Sequence, residues 1–396
     1  MKVIALLLFS ISQCFSQNWK MHTIDASSNG ADGVKLADIN NDGLLDITTG
    51  WEEGGITKLY LHPGKNKVKN LWPAVIVGQT PSVEDAVFMD MNSDGILDIV
   101  SCTEGKSKKI LVHFAPKNKL LNANNWKTEV LPASINKMRW MYAEPLDIDG
   151  KNGPDIVTGG KDENSSIGWF EAPQNRSNLE DWKWHSISSM SWLMSIIFRD
   201  MDADGDMDII VTDRKSGLQG CRWLENPGNI ELQKKEWKSH FIGAENLEVM
   251  FMSVSDIDGD GIEEVILAEK TNKTIRIYSR NGTNWQEQII SVQAFTGNCK
   301  SVEVGDINDD GVKDLVLSTE TGDEIQIGLT WVNGKELKNI KPTFQAISKL
   351  HRSKFDKVEL IDIDLDGDLD VLICEENFGE NSEGLGLIWY ENRIIE

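Results

Sequence analysis

The chain of 396 residues carries only five cysteines. Cys14 lies in the apolar N-terminal stretch. The other four, Cys102, Cys221, Cys299 and Cys374, are too sparse and too unevenly placed for a disulfide framework, so buried free thiols are expected. No Cys/His spacing matches a zinc site, and no Gly-rich loop stands before a helix to cradle phosphate. Basic residues are also in short supply: 40 Lys and Arg face 63 Asp and Glu, a formal net charge of −23. Such a surface repels nucleic acid and anionic lipid, so neither is an expected partner. Beyond the N-terminus nothing approaches the roughly 18 uninterrupted apolar residues of a membrane span.

The N-terminal "MKVIALLLFSISQCFSQ" has one Lys, an apolar stretch from Val3 to Ile11, and the small residues Cys14 and Ser16 at −3 and −1 of a Ser16/Gln17 cut. It reads as a secretory signal peptide over residues 1–16, leaving 17–396 as one domain destined for the periplasm or the extracellular space. Lipid anchoring through Cys14 is not expected, because Gln13 replaces the small residue such sites carry.

What the chain has in abundance is one acidic unit. "DINNDGLLD" at 38–46 returns as "DMNSDGILD", "DMDADGDMD", "DIDGDGIEE", "DINDDGVKD" and "DIDLDGDLD", with a degraded "DIDGKNGPD" at 147–155. The copies begin at 38, 90, 147, 200, 256, 306 and 362, a period of 50 to 57 residues. Each is followed by an uninterrupted apolar run such as "DIVSC" or "DLVLS", the mark of a strand covered on both faces. A third segment ends in turn residues. A fourth carries an aromatic at one fixed place: Trp19, Trp72, Trp126, Trp182, Trp237, Trp285 and Phe344. Recurrence at a framework position predicts packing between sheets, not ligand stacking. Four strands in each of seven units predict an all-β, seven-bladed propeller. The first unit opens with its fourth-strand segment and the last stops after its third, so the N-terminal strand is expected to close the ring.

In "DxDxDGxxD" positions one, three, five and nine offer oxygen ligands and the Gly permits the tight turn, a set suited to calcium. The predicted ligands are Asp38, Asn40, Asp42 and Asp46; Asp90, Asn92, Asp94 and Asp98; Asp200, Asp202, Asp204 and Asp208; Asp256, Asp258, Asp260 and Glu264; Asp306, Asn308, Asp310 and Asp314; and Asp362, Asp364, Asp366 and Asp370. About six Ca²⁺ sites are expected. The third loop, with Lys151 at position five and Asn152 in place of Gly, is expected to be metal-free, its ammonium standing in for the ion.

The repeated motif resembles the FG-GAP/VCBS repeats of bacterial secreted propellers and, more distantly, the propeller of integrin α-subunits. The resemblance covers essentially the whole chain after the leader. Phe-Gly and Gly-Ala-Pro signatures are absent in register, and the lone Phe-Gly pair, Phe378–Gly379, falls in a loop, so integrin-style adhesion is not implied. The family includes lectin-like modules and propellers within polysaccharide lyases, so membership alone does not decide function.

With calcium at one end of the ring, ligand chemistry is expected at the other, where the remaining loops converge on a central mouth. Trp51, Trp140 and Trp192 are the tryptophans outside the blade framework, and they map there with Arg139 and Arg214. This set predicts a platform for an extracellular glycan or protein partner, on a monomeric module. A lyase is the alternative, with Tyr142, Lys300 or His351 as base and Arg139 or Arg214 neutralising a uronate. An assembly scaffold is the third reading and requires an exposed apolar patch at the mouth end.

Overall fold

Each acidic loop turns one strand back on the next, and four antiparallel strands build each of seven blades. The computed structural model describes residues 19–215, 217–322, 324–339, 341–376 and 384–393. The expected leader with Cys14, and the Phe378–Gly379 pair, lie outside the described residues. The first blade runs outward from the central channel as Ala31–Ala37, Asp46–Trp51, Ile56–Tyr60 and Ala74–Gln79. Five more blades repeat that order.

The seventh blade is completed from the other end of the chain. Trp19–Asp25 is its outer strand, antiparallel to Gly386–Asn392 from Trp19 opposite Asn392 to Asp25 opposite Leu387. His22 Nε2 meets Glu391 Oε2 at 2.6 Å and its ring stacks on Trp389. Closure by the N-terminal strand is therefore as the repeat phase predicts, and it leaves no open gap in the ring.

The second strands are buried at every position in blades one to five and in blade seven, for example Asp98–Thr103 and Glu264–Glu269, because neighbouring blades cover both faces. Outer strands alternate, as in Ala74–Gln79, since one face meets water. The fixed aromatics pack between blades: Trp72, Trp126, Trp182, Trp237 and Phe344 are buried, and Trp285 is half-buried beside Arg280. Several indoles also pin the preceding connection, as where Trp72 Nε1 donates to Val68 O at 2.9 Å and Trp237 Nε1 to Gln233 O at 2.9 Å. Cys102, Cys221, Cys299 and Cys374 are free and buried, as expected. Among the described residues no helix is long and apolar enough to cross a membrane.

Candidate functional site

Two residues in each of six acidic loops adopt the left-handed conformation, and three do in the divergent third loop, Gly150, Asn152 and Gly153. In the first they are Asn41 and Gly43, at φ 58° and 86°. That pair of turns folds the backbone inward so that side chains at positions one, three and five gather over the loop's own N–H groups. Asp38 accepts from Asp42 N at 3.0 Å and Gly43 N at 2.8 Å, Asn40 from Asp42 N at 2.8 Å, and Asp42 from Leu44 N at 2.9 Å. The second, fourth and sixth blades repeat the pattern bond for bond; the fifth and seventh share its frame, with Asp256 and Asp362 accepting from the fifth and sixth amides of their loops.

The ninth residue does something else in all seven loops. Its side chain is buried and accepts from the amide of loop position two. In six loops its other oxygen accepts from the chain at the end of the third strand or just after it: Asp98 takes Met91 N at 3.0 Å and Ala115 N at 2.8 Å, and Asp155, in the divergent third loop, takes Ile148 N at 2.9 Å and Ala172 N at 2.8 Å. Asp46, Asp208, Asp314 and Asp370 do the same, while Glu264 holds Ile257 N at 3.0 Å. Burial pushes these carboxyls up, Asp46 and Asp208 to about 6, Asp98 and Asp155 to about 7. The ninth position is thus a staple from loop to third strand as well as a candidate ligand.

The donor set suits a hard cation. Carboxylate oxygens of Asp200, Asp202 and Asp208, and of Asp256, Asp258 and Asp260, lie within 4.8 Å of one another, close enough for one ion to bridge them. Two acids at position seven, Asp206 in the fourth loop and Asp368 in the seventh, add to the crowding and escaped the sequence pattern because only two copies carry them. Burial first, then the neighbouring acids, push them up to about 6 and about 7. Two predicted ligands are already engaged: Asp364 pairs with Lys69 at 2.9 Å and Asp310 with Lys335 at 3.0 Å.

In the third loop Lys151 lies beside Asp149 and partly offsets its charge, and a second cation joins it. The cation tied into the loop's backbone is Arg176, buried, which donates to Asn152 O at 2.9 Å and Pro154 O at 2.7 Å and reaches Asp90 O in the second blade at 2.9 Å. That loop still brings Asp147, Asp149 and Asp155 within 4.8 Å of one another. Arg176 also belongs to a wider device that the sequence did not reveal. In four loops the position-two carbonyl accepts from a side chain of the following blade: Ile148 O from Gln233, Met201 O from Arg280, Ile307 O from Asn392 and Ile363 O from His62. The acidic face therefore couples blade to blade.

At the mouth the structure overturns the tryptophan platform. Trp51 and Trp140 are 0% exposed. Trp51 Nε1 donates to Tyr60 Oη at 2.9 Å and Trp140 Nε1 to Ser134 O at 3.0 Å, so both fill the space between blades. Trp192 is half-buried beneath three cations, with Lys161, Arg214 and Lys215 at 4.7, 4.6 and 4.2 Å from its ring. The candidate bases and cations are similarly engaged. Arg139 pairs with Asp162 at 3.0 Å and Arg214 with Glu248 at 2.7 Å. Lys300 meets Glu376, Glu320 and Asp356 at 2.9, 3.2 and 3.5 Å, and those acids hold its ammonium well above the usual lysine range despite burial. Tyr142 is buried against Phe251, and burial raises its phenol well above the usual range. His351 lies edge-on to Phe355. Neither Tyr142 nor Lys300 is placed to give up a proton near neutral pH.

Below the mouth the innermost strands enclose a cavity of about 220 Å³. Tyr142, Met194, Ile196 and Phe251 form an apolar wall on one side; Lys35, Asp85, Glu303 and Lys357 face it from the other. At the rim of the sixth blade, Gln326–Ile327 pairs with Leu350–His351 in a two-stranded ribbon, and Ile327 also bridges Thr296. Around that ribbon Phe295, Ile325 and Leu350 are 41%, 66% and 47% exposed.

Seven four-stranded blades closed by the N-terminal strand, with an acidic turn leading into every second strand, define a repeat-built β-propeller. The family it carries is that of FG-GAP-like repeats, whose model matches residues 38–101, 147–211 and 256–317. Among solved structures the chain is similar to BBS1N in complex with ARL6DN, soaked with lead, at TM-score 0.52 and 11% identity, with 95% of this chain and 97% of that chain covered. The same complex soaked with mercury gives TM-score 0.50 and 12% identity over the same shares. At such identity the likeness concerns the fold. No curated protein matches the sequence.

Proposed function

We propose that this FG-GAP-like propeller is a secreted, calcium-stabilised scaffold that binds a protein partner at the mouth end, over the sixth blade. The observation that carries the reading is the exposed cluster of Phe295, Ile325 and Leu350 around the ribbon. Three large apolar side chains exposed around one short ribbon favour contact with another macromolecule. The net charge of −23 favours a partner of basic surface. The glycan reading rested on Trp51, Trp140 and Trp192 with Arg139 and Arg214, of which the first two tryptophans are core, Trp192 lies beneath three cations and both arginines are paired; the lyase reading rested on the same paired cations. BBS1N, a propeller crystallised with a protein, is a precedent for the architecture in such a role.

Calcium in the acidic loops, at the other end of the ring, is the part of the reading that concerns stability of the blades carrying the rim. Chelation should lower the melting temperature, and each occupied site should add stability by mass action. A melting curve unmoved by chelator, with no calcium found by metal analysis, removes that part. For the partner, a photo-crosslinker at position 325 should capture a specific extracellular protein that the same group at exposed position 238 does not. Ile325→Asp with Leu350→Glu should then abolish binding of that purified protein. Binding that survives both substitutions, or a glycan array that captures the chain when no protein does, overturns the reading.

A further inference from the structure

The rim of the first two blades holds a second set of acids, remote from the acidic loops. Asp32 lies on the innermost strand of the first blade, Glu52 in the turn after its second strand, and Glu84 on the innermost strand of the second. Strand pairing shifts register between Asp32 and Lys35 and again between Val83 and Asp85. Bulges of this kind re-aim side chains, and here carboxylate oxygens of Asp32, Glu52 and Glu84 come within 4.8 Å of one another.

Asp32 is the telling member. It is 5% exposed, and among the described residues its carboxylate has neither a hydrogen-bond donor nor an ion-pair partner. Lys300, which partly offsets its charge, is itself held by Glu376, Glu320 and Asp356. A carboxylate buried without a partner is costly. Asp32 also approaches Asp356 and Glu376, but that side already contains the Lys300 ammonium. On the Glu52 side two cations are near: Lys354, which is paired with Glu376, and Lys161, which takes Glu84 Oε1 at 3.0 Å together with Glu104 and leaves Glu84 Oε2 available.

We propose that Asp32, Glu52 and Glu84 form a calcium site at the mouth of the central channel, bridging the first two blades and distinct from the acidic loops. Three carboxylates with this spacing can all touch one ion at the 2.3–2.6 Å of calcium–oxygen bonds. Two side-chain lengths from three elements suit calcium's flexible coordination better than the strict octahedron of magnesium.

The test counts calcium per chain by equilibrium dialysis in calcium chloride, with atomic emission as the readout. Asp32→Asn and Glu52→Gln should each bind one ion fewer than the native chain, or bind it at least tenfold more weakly. Asp204→Asn, in an acidic loop, should lose a different ion, so that Asp204→Asn with Glu52→Gln loses two. In chelator Asp32→Asn should melt higher than the native chain, because an uncompensated buried charge is gone, and it should gain less from added calcium. Equal stoichiometry and affinity in the native chain and Glu52→Gln overturn the proposal even if Asp32→Asn fails to fold. Loss of the Asp204 ion alone would support the loop sites and refute this one.

Discussion

Asp155 offers the sharpest test of the staple at the ninth loop position, because its loop departs from the motif that calcium needs. Asp155→Ala removes the acceptor of two amides, Ile148 N and Ala172 N, on residues that are 6% and 1% exposed. Water cannot readily replace the carboxylate there. Each orphaned buried donor costs about 1–3 kcal/mol, so the substitution should cost about 2–6 kcal/mol. Asp149→Ala in the same loop should cost about 1 kcal/mol or less, since Asp149 accepts only the amide of Lys151 near the surface. Urea unfolding in excess chelator reads both, with the midpoint shift taken at constant slope. Asp98→Ala, in a loop that keeps the full motif, should match Asp155→Ala under these conditions. If Asp155→Ala lies within 1 kcal/mol of the native chain, or only Asp98→Ala is costly, the two amides do not depend on the ninth carboxylate in every loop and the staple argument fails.

Deleting the chain through Asp25 should expose the edge of Gly386–Asn392 and cause concentration-dependent association; light scattering that shows an equally stable monomer refutes this. Trp140→Ala should cost about 3–5 kcal/mol in urea unfolding, as expected for a buried indole; a cost under 1 kcal/mol would return Trp140 to the surface. His113 is buried between Ser101 Oγ at 3.0 Å and Thr128 Oγ1 at 2.8 Å, and burial pulls it down to about 3. The unfolded chain then binds the extra proton between pH 6.5 and 3, so His113 should withdraw about 1.4 kcal/mol of stability per pH unit as pH falls through that window. His113→Gln should remove that slope from the difference in unfolding midpoints, and parallel profiles for the two chains would refute the assignment.

The fold was legible because its signals are local. An acidic turn of nine residues recurs at blade spacing, and the phase of the first and last units predicts which strand closes the ring. The mouth was not legible, for a physical reason. Trp51 and Trp140 fall outside the repeated aromatic position, yet the spaces between blades at that end still need filling, and only three-dimensional packing shows that they fill them. The pairings of Lys300, Arg214 and Lys161 join residues far apart in sequence, so their engagement cannot be read from spacing. Lys151 stood where the motif wanted an acid and drew attention from Arg176, which lies outside the loop and reaches it through the blade's outer connection. Asp32 and Glu84 belong to no repeated motif, and it is the two bulges that bring them together.

The closing strand sets a schedule for synthesis. His22 and Glu391 are 369 positions apart, and the strand bearing His22 is made first while its partner is made last. At about 5–20 residues per second, Trp19–Asp25 must wait roughly 20–70 s for the segment that will cover it. During that interval it is an unpaired β segment beside an incomplete ring, open to a strand of another chain. Within it Lys20 is the one charged side chain left exposed in the finished ring, beside exposed Met21, and Asp25 is buried, so little discourages such pairing. The vulnerable moment in the life of this ring is thus its last step of assembly, when the first of its strands to be made meets the last.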